Sequence, residues 1–448
     1  MSVPASAITR IGTTAVRTTR ARRAALRGGV AGNFVDQMHI FLPVTTLGPA
    51  LPVLAGPSAV ASSVAYVVMA TLIGRPVGAM IFGPLADALG RVRTTRVAIA
   101  GTAASTGAIA LLPTHQVLGV WTMVLVIMLR FLGGVFLAGE YTSAIPLAME
   151  WSRPRHRGLV SGLVMSMSPW AQACVAFVTV WLLTVLGRGE YAVWGWRLPF
   201  AAGALASVLM LVYYSRRVVD AGTFTRVGLR ADRPGLRDVL GGRWAPAFWQ
   251  VFLLMSGLWL MTNMAVIVMA QRLTGDTHLG PTGVALVMGG AAVVQALVMA
   301  LTGHLSTVLG RRRLLVLWSS AALVAGAPLW LWVTRGAGGL LGAGVGVAAL
   351  QALTVCAYGP MGAYLTERFP TVVRATAYGT AYSLSIVVPA LYPYYLPDLE
   401  RVLGHEGGPA ALLILGAVLV LAGTAAGPRL SAAELDADVD AVAGRAER

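Results

Sequence analysis

Not one lysine occurs among the 448 residues, although 34 are basic; every one of these is arginine. Charge of any kind is scarce, at 12% of the chain, against about 25% in a soluble domain. The two cysteines, Cys174 and Cys356, both fall in apolar runs, where a thiol packs as a small hydrophobe. They argue for neither a disulfide nor a metal site. There is no Gly-Lys-Ser/Thr loop to cradle phosphate, no closely spaced Cys/His set and no serine at a nucleophile elbow. An ATP-driven pump or a membrane enzyme is thereby disfavoured. No cofactor, no metal and no catalytic residue is expected.

What the chain has instead is apolar length. It is 57% hydrophobic, with a mean hydropathy of +0.73. A helix of about 20 apolar residues crosses ~30 Å of hydrocarbon. Twelve segments qualify: 29–54, 59–86, 96–113, 117–150, 158–186, 197–215, 246–271, 281–306, 313–334, 338–367, 375–397 and 408–427. The expected fold class is an all-α membrane protein with twelve transmembrane helices. Residues 1–27 have no apolar core of a cleavable signal, so the first span is expected to target the chain.

The net charge of +16 invites a nucleic-acid reading, which its distribution rejects. Twenty-seven arginines lie on one side of the twelve spans. Five lie on the other: Arg188, Arg197, Arg272, Arg335 and Arg401. The positive-inside rule puts the rich side, with both termini, in the cytoplasm of a multi-pass inner-membrane protein. The basic balance reports topology and contact with anionic lipid.

The spans form two blocks. The expected parts are a basic N-terminal arm (1–28), a six-helix bundle (29–215), a cytoplasmic linker (216–245), a second bundle (246–427) and a solvated, partly disordered tail (428–448). The blocks repeat. Gly83 to Arg93 joins spans 2 and 3, and Gly303 to Arg313 joins spans 8 and 9; each reads Gly, then Gly-Arg seven residues on. Glu150 precedes Arg157 as Glu367 precedes Arg374. The two pairs of motifs share nearly one offset, about half the chain. A duplicated six-helix unit of this kind defines one class of secondary transporter, with its site at the repeat interface.

Gly83-x3-Asp87-x2-Gly90-Arg91-x-Arg93 resembles the hallmark loop of the major facilitator superfamily. Within it the chain is most similar to the metabolite:proton symporters. That likeness rests on Gly32-Asn33-x2-Asp36, Arg75-Pro76-x-Gly78, Arg130-x3-Gly134-x4-Gly139-Glu140, and Trp194-Gly195-Trp196-Arg197-x-Pro199-Phe200. The resemblance implies alternating access and a cytoplasmic gate that includes Asp87, Arg91 and Arg93. Glu150 with Arg157, and Glu367 with Arg374, read as further locks at equivalent edges. The second hallmark loop departs from the first, with Thr307 where the first has Asp87.

Ionisable groups inside a bilayer are costly and mark function by default. At 1.5 Å rise per residue, Asp36 lies about 10 Å in, Arg75 about 18 Å and Glu140 about 15 Å, all in the inner half. Arg130 lies about 15 Å beyond Glu140 and roughly 80° around the helix. One reading has Asp36 or Glu140 carry a proton, with Arg75 alternating between that acid and an anionic substrate. The other has the trio as a fixed ion-pair network. His39, one turn from Asp36, is a proton relay or a hydrogen-bonded core histidine. Arg130 binds a substrate carboxylate or makes a structural pair. In the second half Asn263, Gln295, Gln351 and Tyr382 suit neutral contacts to substrate, and Asn33 joins the set from the first. The expected activity is proton-coupled uptake of a small carboxylate or zwitterion by a monomer, with proton antiport of a drug or amphipathic product as the rival.

Overall fold

A computed structural model describes residues 5–56, 62–221, 235–275, 279–336 and 338–446. Twelve helical segments cross in turn. In the first half they are α1 (Ala5–Thr46), α2 (Ser62–Leu89), α3 (Arg91–Leu111), α4 (Trp121–Trp151), α5 (Arg157–Glu190) and α6 (Arg197–Arg217). In the second half α7 runs from Ala245–Thr262 through a π-helical stretch, Asn263–Val268, to Met269–Gly275. Then come α8 (Pro281–Leu309), α9 (Arg311–Thr334), α10 (Gly339–Val355 and Met361–Arg368), α11 (Arg374–Leu384, Val387–Ala390 and Tyr392–Leu403) and α12 (Gly407–Ala425). Among the described residues, nine helical stretches are long and apolar enough to cross a membrane on their own.

Between α2 and α3 the chain reverses on one residue, Gly90, at φ 100° and ψ 148°. Gly310 does the same between α8 and α9, at φ 88° and ψ 145°. Only glycine visits that region without strain. This is why both repeats spell Gly-Arg there.

The halves meet along two seams, α2 against α11 and α5 against α8. Both are built on missing side chains. A Cβ on Gly83 would lie 2.8 Å from the Thr376 Cα, and one on Gly303 would lie 2.3 Å from the Gly162 Cα. Small residues let helix backbones approach in a membrane, where hydrophobic driving force between helices is absent. α10 breaks at Gly359-Pro360, leaving unpaired backbone groups. Ser161 of α5 satisfies two of them from across the seam: it donates to the Gly359 carbonyl (2.7 Å) and accepts from the Ala363 N–H (3.1 Å).

Two expectations are corrected. The basic arm is not a separate element: from residue 5 onward it is helical and runs unbroken into the first span, which ends at Thr46 rather than 54. The segment after 428 is not loose. Its helix Val439–Ala446 is docked, with Val439, Val442, Ala443 and Ala446 buried. In the linker, Leu236–Leu240 is a short helix. Arg226, Arg230 and Arg233 lie outside the described residues.

Candidate functional site

On the face that carries both ends of the chain, the two halves are locked by charge. Glu150, at the end of α4, accepts from Arg91 Nε (3.0 Å) and from Arg374 Nη1 (2.8 Å). Glu367, at the end of α10, accepts from Arg311 (2.9 Å) and Arg157 (3.2 Å). Each glutamate therefore holds one arginine of its own half and one of the other. The spacing Glu-x6-Arg suggests pairs within a half, and this is corrected: the bonds cross. α5 and α11 lean over the seams and carry Arg157 and Arg374 to the opposite glutamate.

Asp87 adds a further crossing. Its carboxylate accepts from the backbone N–H groups of Ala375 (3.0 Å) and Thr376 (2.8 Å) and from the Thr376 hydroxyl (2.8 Å), while Arg91 approaches at 3.3 Å. A carboxylate at the first turn of α11 meets the positive end of the helix dipole. Arg93 takes no part: it is exposed, and no ion pair involves it among the described residues.

Asp440 belongs to this cluster and was missed, because in sequence it is one acid among several in a polar tail. It accepts from Arg374 (2.6 Å) and from the Thr371 N–H (2.9 Å) and hydroxyl (2.7 Å). Burial alone would raise its carboxyl, but the Arg374 charge and the Thr371 hydrogen bonds hold it below the usual carboxylate range.

Above this seal lies a cavity of about 480 Å³ between the halves, within the range of small-molecule sites. It opens toward the opposite face, past Pro49, Thr184, Arg188 and Thr274. Of the expected contact residues, Asn33, Arg75, Asn263, Gln295 and Tyr382 line it. Arg75 is 1% exposed, and none of its three guanidinium nitrogens has a hydrogen-bond partner. Three rings box it: Tyr141 and Tyr382 at 5.6 Å and Trp259 at 5.8 Å. Tyr141 and Tyr382 stack on each other across the halves, with centroids 4.0 Å apart. Among the described residues the lining holds two arginines, Arg75 and Arg188, and no carboxylate.

Behind Arg75, inside the first bundle, Asp36 and Glu140 are close enough for each to feel the other's charge. Both are buried, and Asp36 Oδ1 and Glu140 Oε1 have no partner. Gly32 makes room, since a Cβ there would lie 3.3 Å from Glu140 Oε1. The fully buried Tyr214 hydroxyl is also unpartnered. The structure thus brings the two acids together. Arg75 feels the charge of Asp36 but has no ion-pair contact with it.

Three expected residues point elsewhere. His39 is held by hydroxyls, Ser207 at 2.7 Å and Thr106 at 3.1 Å, and does not reach the cavity. Arg130 donates to the Thr71 hydroxyl (3.1 Å) and the His39 carbonyl (2.5 Å), tying α4 to α2 and α1; it too lies off the cavity. Gln351 is buried behind the lining, where it donates to the Ala265 carbonyl (3.4 Å). Asn263 lines the cavity at the start of the π-helical stretch and donates to the Pro389 carbonyl at the α11 break (2.7 Å). π-bulges recur at functional sites.

The fold matches solved structures. Against the proton:xylose symporter XylE bound to 6-bromo-6-deoxy-D-glucose, the TM-score is 0.74 at 15% identity, covering 91% of this chain and 95% of that one. In sequence, the chain is 28% identical to the proline/betaine transporter of Escherichia coli (strain K12) over 357 residues, covering 78% of this chain and 71% of the relative. It is also 28% identical to the ectoine/proline transporter ProP of Corynebacterium glutamicum over 409 residues, covering 81% and 75%. The family profile of the Major Facilitator Superfamily matches residues 37–273. With its two six-helix repeats, its central cavity and its crossed locks, the chain is a multi-pass membrane transporter, not an enzyme, and belongs to the Major Facilitator Superfamily.

Proposed function

We propose that the protein is a proton-coupled symporter that takes up a small carboxylate or zwitterion. One observation carries this reading: Arg75, with every donor free, sits in an aromatic box on the wall of a cavity that no acid lines among the described residues. A guanidinium in that setting lacks an anion. A substrate carboxylate supplies it, with charge-assisted bonds of about 1.5–3 kcal/mol each. The rings hold a cationic group of a zwitterion by cation–π attraction. Proline, betaine and ectoine, the solutes after which the relatives are named, are of this chemistry.

Asp36 and Glu140 take the proton. Two carboxyls sharing a buried site do not both ionise, so the pair holds one proton or two. Arg75 stabilises the ionised form of Asp36 from its cavity side. When a substrate carboxylate neutralises Arg75, that support is withdrawn and the second proton binds more readily. By linkage the bound proton favours substrate equally, which is the thermodynamic form of symport. One proton at 100 mV supplies about 2.3 kcal/mol, roughly fifty-fold accumulation of a neutral solute.

The arginine excess makes the sealed face the cytoplasmic one, so the cavity faces outward in this state. Locks and cavity are complete within one chain, which suits a monomeric unit.

Proteoliposomes loaded with alkaline buffer and diluted into acid, with labelled proline, betaine, ectoine or lactate outside, test the reading. Accumulation that collapses with a protonophore is expected. Extrusion of preloaded solute driven by the same inward proton gradient would establish antiport instead, and failure of all four solutes to move in either direction would overturn the substrate class.

A further inference from the structure

The segment after α12 lies across the boundary between the halves. Ser431 caps a short helix, Ala432–Leu435, in a reciprocal box with Glu434. The Ala437 carbonyl then accepts from Arg157 Nη2 at 3.0 Å. Three residues on, Asp440 takes Arg374 and Thr371. The Ala446 carbonyl accepts from Arg368 Nη1 at 2.5 Å. Arg157 belongs to the first half; Arg368, Thr371 and Arg374 belong to the second. Leu435, Val439, Val442, Ala443 and Ala446 are buried beneath these bonds.

The charges at the seal show what the segment adds. In the ion pairs of the seal, Arg91, Arg157, Arg311 and Arg374 share Asp87, Glu150 and Glu367, and Asp220 adds its charge beside Arg91. The second repeat turn carries Thr307 where the first carries Asp87. Thr307 offers Arg311 only a hydroxyl, at 3.3 Å. Asp440, from the tail, is the carboxylate that pairs with Arg374 besides Glu150.

We propose that residues 431–446 are a clamp on the closed face, with Asp440 as the positioning residue for Arg374. Opening this face draws α5 from α8 and α2 from α11. A segment bonded at once to Arg157 and to Arg374 cannot keep both. Its partial release is therefore a step of the transport cycle, and its attachment biases the protein toward the state sealed here. The clamp is independent of which solute is carried.

The test uses the full chain with Arg93→Cys and Arg313→Cys, two exposed sites on this face in opposite halves, spin-labelled after Cys174→Ser and Cys356→Ser. Inter-label distances are read without substrate. Asp440→Asn is expected to raise the long-distance population several-fold, and Asp440→Glu to restore the parent distribution. Ala443→Arg, which places a charge beneath the tail helix, is expected to raise it by a separate route. If Asp440→Asn and Ala443→Arg keep the parent distribution and the parent unfolding temperature, the clamp is refuted. If both lower that temperature without moving the distances, the segment is structural only, which also refutes it.

Discussion

Glu150→Gln is the most informative single change at the seal. In the sealed state Glu150 binds Arg91 and Arg374 at 2.8 Å each, and no side chain of the three has exposed surface. When the face opens, Arg91 stays, because α3 and α4 belong to one half, whereas Arg374 departs with α11. The energy that differs between states is therefore one charge-assisted bond, about 1.5–3 kcal/mol. It is not the 3–5 kcal/mol of a buried pair broken outright, because Arg374 also has Asp440. At 1.4 kcal/mol per decade, the ratio of open to sealed protein should rise roughly 10- to 150-fold. The amide still accepts one hydrogen bond, which favours the lower end. Spin labels at 93 and 313 read the ratio, and solute exchange in proteoliposomes reads its effect on turnover. A variant with unchanged distances but a lower unfolding temperature would show that Glu150 only supports the fold, and the crossed-lock reasoning would fail.

Arg75→Lys keeps the charge but loses the planar fork; KM for the carried zwitterion should rise roughly 10- to 100-fold, and an unchanged KM would remove Arg75 from the binding site. Asp36→Asn and Glu140→Gln should each abolish pH-driven accumulation while sparing solute exchange without a gradient; full accumulation in both would exclude the acid pair. Gly303→Ala forces a Cβ into Gly162 across the α5–α8 seam, so it should destabilise the sealed state by about 1–3 kcal/mol, seen as a longer 93–313 distance. Docking of residues 439–446, followed by hydrogen exchange, should hold from neutral pH down through the ordinary aspartate range. The Asp440 carboxyl is depressed when docked, so its stabilisation is complete above its free value, near 4, and is lost as pH falls through the lower docked one. Loss of protection already at pH 6 would contradict this.

The fold was legible because its signals are one-dimensional. Length and apolarity counted the spans, and the Gly-Arg turns gave the repeat because their φ values admit only glycine. The site was legible in part. Spacing along a helix gives depth, and depth correctly grouped Asp36, Glu140 and Arg75 near one level. Which way each side chain points depends on neighbouring helices. For Arg130 and His39 depth alone left a site role and a structural role open; Thr71, Thr106 and Ser207 hold them inside the first bundle. The box around Arg75 draws Tyr141 from one half and Trp259 and Tyr382 from the other, a union that no single stretch encodes. Asp440 was hidden for the same reason: its partners lie more than 60 positions away.

The crossed locks also settle what becomes of the acids when they part. Separation strands neither glutamate, since Glu150 retains Arg91 and Glu367 retains Arg311 from its own repeat. Arg157 and Arg374 change company, and a guanidinium released at a membrane surface finds water and lipid phosphate at once. Opening the seal therefore leaves neither lock glutamate without a counter-charge.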